Sequence, residues 1–449
     1  MNKRALQIIG AGLSGSEAAW QAAERGIHVR LFEMRPGRST GAHVTGDCAE
    51  LVCSNSLGSN MRDRASGLLK EEMRLMDSLL LRCAEETSVP AGGCLAVDRE
   101  GFARKVTEAL NAHPLIELVQ EEVTHIPDEA CIIASGPLTS DQLSQSIAAL
   151  TGDEHLYFYD AISPIISVDS IDMTQAYRAS RWDRGERDGG DYINCPLNKE
   201  EYEAFVDALI SAERIVLESF ERDITTGVKA GLHTFFEGCM PVEILATRGK
   251  DALAYGPMRP VGLDDPRTGR RPHAVVQLRQ DNLADTCYNM VGFQTNLMFP
   301  EQKRVFGMIP GLQQADYLRY GQMHRNTFIH APTQLRNTLQ HHQRDDLLFA
   351  GQITGVEGYA GNIATGLLAG INAARILQGQ APWALPESTM LGSLCHYVTH
   401  ARPEDFQPMK ANFGIVPPLE KKVKGKRERA TLYADRALSD LKSHLAENG

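Results

Sequence analysis

The chain has 449 residues, 43% of them hydrophobic, which is more than one compact core usually holds, so at least two domains are expected. A formal net charge of −11 excludes a uniformly basic coat for nucleic acid, though not a local basic patch. The nine cysteines lack short paired spacings and read as reduced thiols, with neither a disulfide framework nor a metal site expected. At the N-terminus, Lys3 and Arg4 precede Ala5–Gly12 in the manner of a weak signal peptide, but Glu17 comes early and glycines break the apolar run. No later segment has the length or purity of a membrane span, so a soluble cytoplasmic protein is expected.

The first elements are the most informative. Ala5–Ile9 reads as a buried strand, and Gly10-Ala11-Gly12-Leu13-Ser14-Gly15 follows it at once. Helical spacing runs over Ser16–Arg25, with Gly26 as its stop, and a second strand, His28–Phe32, ends in Glu33. Each part has a physical job in holding a dinucleotide. Gly10 allows the tight turn, Gly12 lets a pyrophosphate approach the backbone, and Gly15 lets the helix pack closely on the sheet. The helix N-terminus faces the phosphates, and Glu33 can accept from a ribose hydroxyl, which suits FAD or NAD rather than NADP.

Later elements select FAD. Ala130–Ala134 is a predicted strand running into Ser135-Gly136, a turn able to pass close to a bound dinucleotide. Pro196 and Asn198 precede a predicted helix from Lys199 to about Glu218, and strands are predicted at Gly231–Phe236, Ala274–Leu278 and Tyr288–Phe293. Leu347–Ala350 is another strand, leading into Gly351-Gln352-Ile353-Thr354-Gly355, then Gly358-Tyr359-Ala360-Gly361-Asn362 and a small-residue helix from Ile363 to about Leu377. The glycines of this second turn exceed what helix packing requires, and its helix N-terminus would stabilise negative charge on a reduced flavin. The expected architecture is therefore α/β: a Rossmann-like FAD-binding domain formed by both chain ends (1–157 and 326–449) around an inserted mixed α+β domain (158–325) that faces the substrate.

Chemistry is expected from thiols. Cys48 and Cys53 are spaced like the redox pair of flavin disulfide reductases, but no second GxGxxG and no C-terminal His-Pro acid/base segment accompany them. Cys53 lies in a polar loop of small residues, and Cys239 lies between Gly238 and Met240-Pro241, near Glu237 and Glu243. A lone cysteine is more often a small hydrophobe than a nucleophile, and Cys83, Cys94, Cys131, Cys195, Cys287 and Cys395 are read as packing residues.

Several motifs together resemble one family. They are Gly-Ala-Gly-Leu-Ser-Gly-Ser-Glu-Ala-Ala at Gly10–Ala19, Phe-Glu-Met-Arg-Pro at Phe32–Pro36 and Cys-Ser-Asn-Ser-Leu at Cys53–Leu57. Phe236–Glu243, Tyr255–Leu263, Gly351–Tyr359 and Asn412–Leu419 complete the set. The chain resembles, over nearly its whole length, the folate- and FAD-dependent tRNA uracil-5-methyltransferases (TrmFO, formerly Gid), relatives of the larger MnmG-type flavoproteins. The resemblance implies methylation of a T-loop uridine of tRNA, with methylenetetrahydrofolate as carbon donor and NADH or NADPH as reductant. It implies that Cys239 adds to uracil C6, that Cys53 assists as acid/base, and that reduced flavin relays methylene and hydride. Tyr359, at the mouth of the second glycine turn, is expected beside the flavin or the RNA. Candidate phosphate contacts are the basic run Lys421, Lys422, Lys424, Lys426, Arg427 and Arg429 and the arginines of the insertion, among them Arg178, Arg181, Arg184, Arg248, Arg259, Arg270 and Arg271. Competing readings are a ribosomal-RNA methyltransferase of the same family, a thiol oxidoreductase using Cys48 and Cys53, and a non-catalytic RNA-binding flavoprotein.

Overall fold

The glycine-rich loop caps the central strand of a five-stranded parallel sheet. In a computed structural model that describes residues 5–38, 40, 42–152, 156–215, 240–421 and 423–448, the strand order is Leu347–Phe349, Cys131–Ile133, Leu6–Ile9, Val29–Phe32, Ile116–Val119. The C-terminal strand Leu347–Phe349 pairs in parallel with Cys131–Ile133, so both ends of the chain build one sheet. These strands are near-continuous apolar runs because helices cover both faces.

The first helix spans Leu13–Glu24, starting earlier than the apolar periodicity predicts. Gly15 already lies inside it, and a Cβ there would collide with the Gly10 carbonyl. The second glycine turn opens the helix Tyr359–Leu377, which also starts earlier than expected and packs along the first. Side chains at Gly366 or Gly370 would strike the backbone of Ser14 or Ala18. The small residues of both helices thus permit a close approach in which dispersion contacts accumulate.

The chain passes into the inserted region through Leu156–Ala161 and returns through Met323–Phe328, and these two segments pair antiparallel. The insertion is built on a six-stranded antiparallel sheet, ordered Tyr177–Ala179, Tyr192–Leu197, Ala274–Gln280, Cys287–Met290, Ile165–Ser167, Tyr317–Arg319. Side chains alternate along its central strands. Ile193, Cys195, Leu197, Val276 and Leu278 join Tyr202, Phe205 and Leu209 of the helix Lys199–Ser211 in one core. That helix begins in a capping box, with Asn198 accepting from the Glu201 N–H and Glu201 accepting in return.

Two insertion elements are shorter than predicted. The helix stops at Ser211 because Ala212 turns extended, at ψ 146°. The strand Cys287–Met290 stops before Phe293 because Gly292 takes φ +78°, which breaks the extended run. The predicted strand Gly231–Phe236 lies outside the described residues. No helix among the described residues is long and apolar enough to cross a membrane.

Candidate active site and cofactor cleft

A cleft opens at the carboxyl ends of the parallel strands, where ligands of such sheets bind. Gly10, Gly12, Leu13, Ser14, Glu33, Gly136, Tyr359 and Asn362 all line it. The three loop glycines differ in what they do. A Cβ at Gly10 would lie 2.6 Å from the Ala134 carbonyl oxygen, so the protein itself demands glycine there. At Gly12 the backbone is ordinary (φ −71°, ψ −167°) and a Cβ would meet nothing within 4 Å. Among the described residues neither strain nor crowding requires glycine at Gly12, which leaves the helix N-terminus open to a ligand.

Other features of the cleft fit a dinucleotide. The Glu33 carboxylate accepts from the Ala11 N–H on one oxygen (3.1 Å) and from the Arg35 N–H and Nε on the other (3.0 and 2.7 Å). The first oxygen keeps capacity for a ribose hydroxyl. Burial pushes Glu33 up, but the bonded Arg35 guanidinium outweighs it and holds the carboxyl below the usual range. Arg35 is itself fixed by Glu50 at 3.0 Å. His43 also lines the cleft; burial, then the Arg35 charge, drives it down to about 4, so it is neutral at neutral pH. Two buried polar atoms in the lining, Asn362 Oδ1 and Ser140 Oγ, have no hydrogen-bond partner among the described residues. Since buried polar groups are normally satisfied, these are places for ligand hydrogen bonds.

Val52 of the Cys53 loop also lines this cleft. Tyr359 reaches from the first turn of the second glycine-turn helix, and its hydroxyl oxygen accepts from the Cys53 N–H (2.8 Å) and the Ser54 N–H (3.2 Å). From the other side Arg99 and the insertion hold the same loop. Arg99 forms a buried two-point ion pair with Asp281 (3.1 and 3.0 Å) and donates to the Leu51 carbonyl. Burial pulls Arg99 down, but Asp281 more than compensates and the net shift is upward. Arg279 donates to the Asn55 side chain (2.8 Å), whose amide donates back to the carbonyls of Val97 and Gln280. Arg319, pulled down by burial and then by the Arg99 charge, also acts electrostatically on Cys53 and Tyr359. The half-buried Cys53 thus sits in a loop tied at Leu51, Cys53, Ser54 and Asn55.

Residues 5–381 match the family Glucose inhibited division protein A. Over 445 residues the chain is 56% identical to the methylenetetrahydrofolate--tRNA-(uracil-5-)-methyltransferase TrmFO of Bacillus cereus strain G9842, covering 99% of this chain and 100% of that one. It is 55% identical over the same spans to the enzyme of that name from Bacillus thuringiensis subsp. konkukian. The chain belongs to the TrmFO family. Among solved structures it resembles GidA of Aquifex aeolicus, with a TM-score of 0.67 at 16% identity over 98% of this chain and 73% of that one, a likeness of fold.

Against this TrmFO background, the remaining expected site residues take several different positions. Gly351 and Gly361, expected at the cofactor, face inward instead: a Cβ at Gly351 would collide with Ser14 Oγ, and one at Gly361 would lie 2.7 Å from Val356. Packing thus requires glycine at Gly351 and Gly361, whereas Gly358, at φ +85°, has open space about its Cβ position; Gln352 and Asn362 line the cleft. Ala11 and Gly15 support the cleft from behind, Ala11 through its bond to Glu33. Cys239 and Lys422 lie outside the described residues. Cys48, by contrast, is fully buried, with its thiol pushed up to about 12 by burial, which makes it a packing residue beside Thr107 rather than a redox partner for Cys53. Cys83, Cys131, Cys195 and Cys395 are buried too, and all four thiols are pushed up by desolvation.

Lys421, Lys424, Lys426, Arg427 and Arg429 are exposed around the start of the helix Lys426–Asn448, and Arg427 is paired with Asp63 at 3.0 Å. Sequence reasoning missed Arg99, Asp281, Arg279 and Arg319, because what marks them is spatial: charged side chains buried beside a thiol loop far away in sequence. Among the described residues no cluster of His, Cys, Asp and Glu could hold a metal ion.

Proposed function

We propose that this enzyme methylates C5 of a T-loop uridine in tRNA, taking the carbon from methylenetetrahydrofolate, with FAD in the cleft and NADH or NADPH as reductant. The activity named for relatives identical at more than half of all positions supports the reading. The single structural observation that carries it is the Cys53 loop bonded through Tyr359 to the mouth of a dinucleotide cleft.

Bound FAD, once reduced, supplies the hydride that takes the transferred carbon to the methyl level. The chain's own residues prepare the uracil. Cys239 thiolate adds to C6, and the C5–C6 double-bond electrons move toward C5 and the O4 carbonyl, making C5 enolate-like and nucleophilic. C5 then attacks the methylene carbon. Loss of the C5 proton to a base, assigned to Cys53, expels the donor nitrogen from that carbon and leaves an exocyclic methylene at C5; hydride addition to the methylene then expels the Cys239 thiolate from C6 and restores the C5–C6 double bond. Tyr359, Arg99 and Arg279 hold the Cys53 loop so that its thiol keeps one position during proton transfer. Asn362, Ser140, Glu33 and the Gly12 backbone bind and orient the dinucleotide.

The test is incubation of the pure protein with FAD, NADH or NADPH, methylenetetrahydrofolate and unmodified tRNA, followed by nucleoside analysis, with ribosomal RNA run in parallel. Formation of 5-methyluridine in tRNA is expected; its absence refutes the reading, and methylation of ribosomal RNA alone would transfer it to the other substrate. Cys239→Ala should keep FAD but form no covalent RNA complex, and an undiminished complex overturns that assignment.

A further inference from the structure

Trp182 stands out on the surface of the insertion. It is 59% exposed, and its backbone lies in the left-handed region at φ 60°, followed by Asp183 at φ 51°. A bulky residue there is strained and persists only where its surroundings impose it. The surroundings are specific. The Trp182 N–H donates to the Gly262 carbonyl (2.9 Å), and the indole lies so close over Gly262 that a Cβ at that position would be 2.8 Å from the ring. One ring face is therefore backed by glycine backbone while much of the side chain remains open. Gly262 belongs to Tyr255–Leu263, a motif that the catalytic assignments leave unused.

The charges beside it are unneutralised. Arg181 donates to Gln277 (2.9 Å) and to the Val261 carbonyl (2.7 Å), and neither partner is an anion. Exposed Arg184 and Arg259 flank it, and the charge of Arg259, after burial, pulls Arg181 down. Among the described residues none of these three arginines is within salt-bridge distance of a carboxylate. Buried residues link this patch to the thiol loop. Gln277 and Arg279 project from the same face of one strand, about 7 Å apart, and Arg279 holds Asn55, two positions from Cys53.

We propose that Trp182 is a stacking platform for an unpaired base of the RNA beside the target uridine, with Arg181, Arg184 and Arg259 receiving the adjoining phosphates. A preformed aromatic face amid cations is the arrangement that holds single-stranded nucleic acid. The proposal rests on the reading that RNA is the substrate.

The test is equilibrium binding of the FAD-loaded full chain to a fluorescently labelled unmodified tRNA at several salt concentrations. Trp182→Ala is expected to weaken binding roughly tenfold without changing the salt slope, the signature of lost stacking. Trp182→Phe should stay within about threefold of wild type, and Arg259→Gln should lower the salt slope by about one contact. Trp182→Gly suits the left-handed backbone, so its thermal midpoint should not fall below that of Trp182→Ala while affinity stays lost, separating binding from folding. Wild-type affinity in Trp182→Ala overturns the platform, as does a loss equally severe in Trp182→Phe. Unchanged RNA binding with an altered oligomeric state would assign the tryptophan to a protein contact instead. If wild type itself fails to bind tRNA, the functional reading fails first.

Discussion

Gly12 and Gly366 allow a direct comparison between a glycine kept for a ligand and one kept for packing. At Gly12 the backbone angles suit alanine and no protein atom lies within 4 Å of a new Cβ. Gly12→Ala loses unfolded-state entropy, a gain of about 0.4–1 kcal/mol. It also loses a preferred residue at the helix N-cap, a cost of up to about 1 kcal/mol. The apoprotein should therefore change by less than about 1 kcal/mol. The methyl, however, occupies the approach to the N–H groups of the first helical turn. Charge-assisted hydrogen bonds of this kind contribute about 1.5–3 kcal/mol, so FAD affinity should fall about 10- to 150-fold. Gly366→Ala should behave oppositely, because its Cβ would collide with the Ser14 carbonyl and force the two glycine-turn helices apart. That overpacking should cost about 1–3 kcal/mol with or without cofactor. Urea unfolding of the apoproteins and flavin-fluorescence titration separate the two quantities. A Gly12→Ala protein that binds FAD within threefold of wild type would refute the reasoning.

Other consequences can be checked in the same preparations. Cys48→Ala should retain methylation, since Cys48 is a buried packing thiol; inactivity of a folded Cys48→Ala protein would restore the dithiol reading. Arg99→Ala strands Asp281 as a buried charge and should destabilise the protein by about 3–5 kcal/mol in denaturant unfolding. Neutralising Lys421, Lys424, Lys426 and Arg429, while sparing the Asp63-paired Arg427, should flatten the salt dependence of RNA binding by about 0.9 per lost duplex phosphate contact; an unchanged slope marks the run as a solvated face. Glu72, which caps the helix Met390–His400 through the N–H groups of Met390 and Leu391, is pushed up by burial to about 7. Because the folded state holds this proton longer than the unfolded one, stability should fall by up to about 3 kcal/mol as pH rises from about 4.5 to 7. Glu72→Gln should remove that slope, measured as unfolding free energy against pH.

The nucleotide-binding half was legible because its signals are local. Strand, glycine loop, helix, strand and acid lie within Leu6–Glu33, and each depends on neighbours a few residues away. Capping chemistry likewise marked the start of the helix at Lys199. Boundaries were less legible where tertiary contacts decide them, as at Gly15, which the helix absorbs to reach the Gly10 carbonyl.

The sequence by itself therefore determined the dinucleotide loop, the acid that orders it, the return of the C-terminal strand and the family to which its motifs belong. The tertiary structure alone decided which thiol is sealed in the core and which lies on the loop bonded to the cleft residue Tyr359. Cys48 and Cys53 look alike in sequence, yet one is sealed in the core and the other is tied to Tyr359 across 306 positions. The ties from Arg99 to Asp281 and from Arg279 to Asn55 span 182 and 224 positions. No local propensity encodes such pairs. They arise because the end of the inserted strand Ala274–Gln280 meets the Cys53 loop and the start of the helix Arg99–Ala112, and buried charges there must find partners.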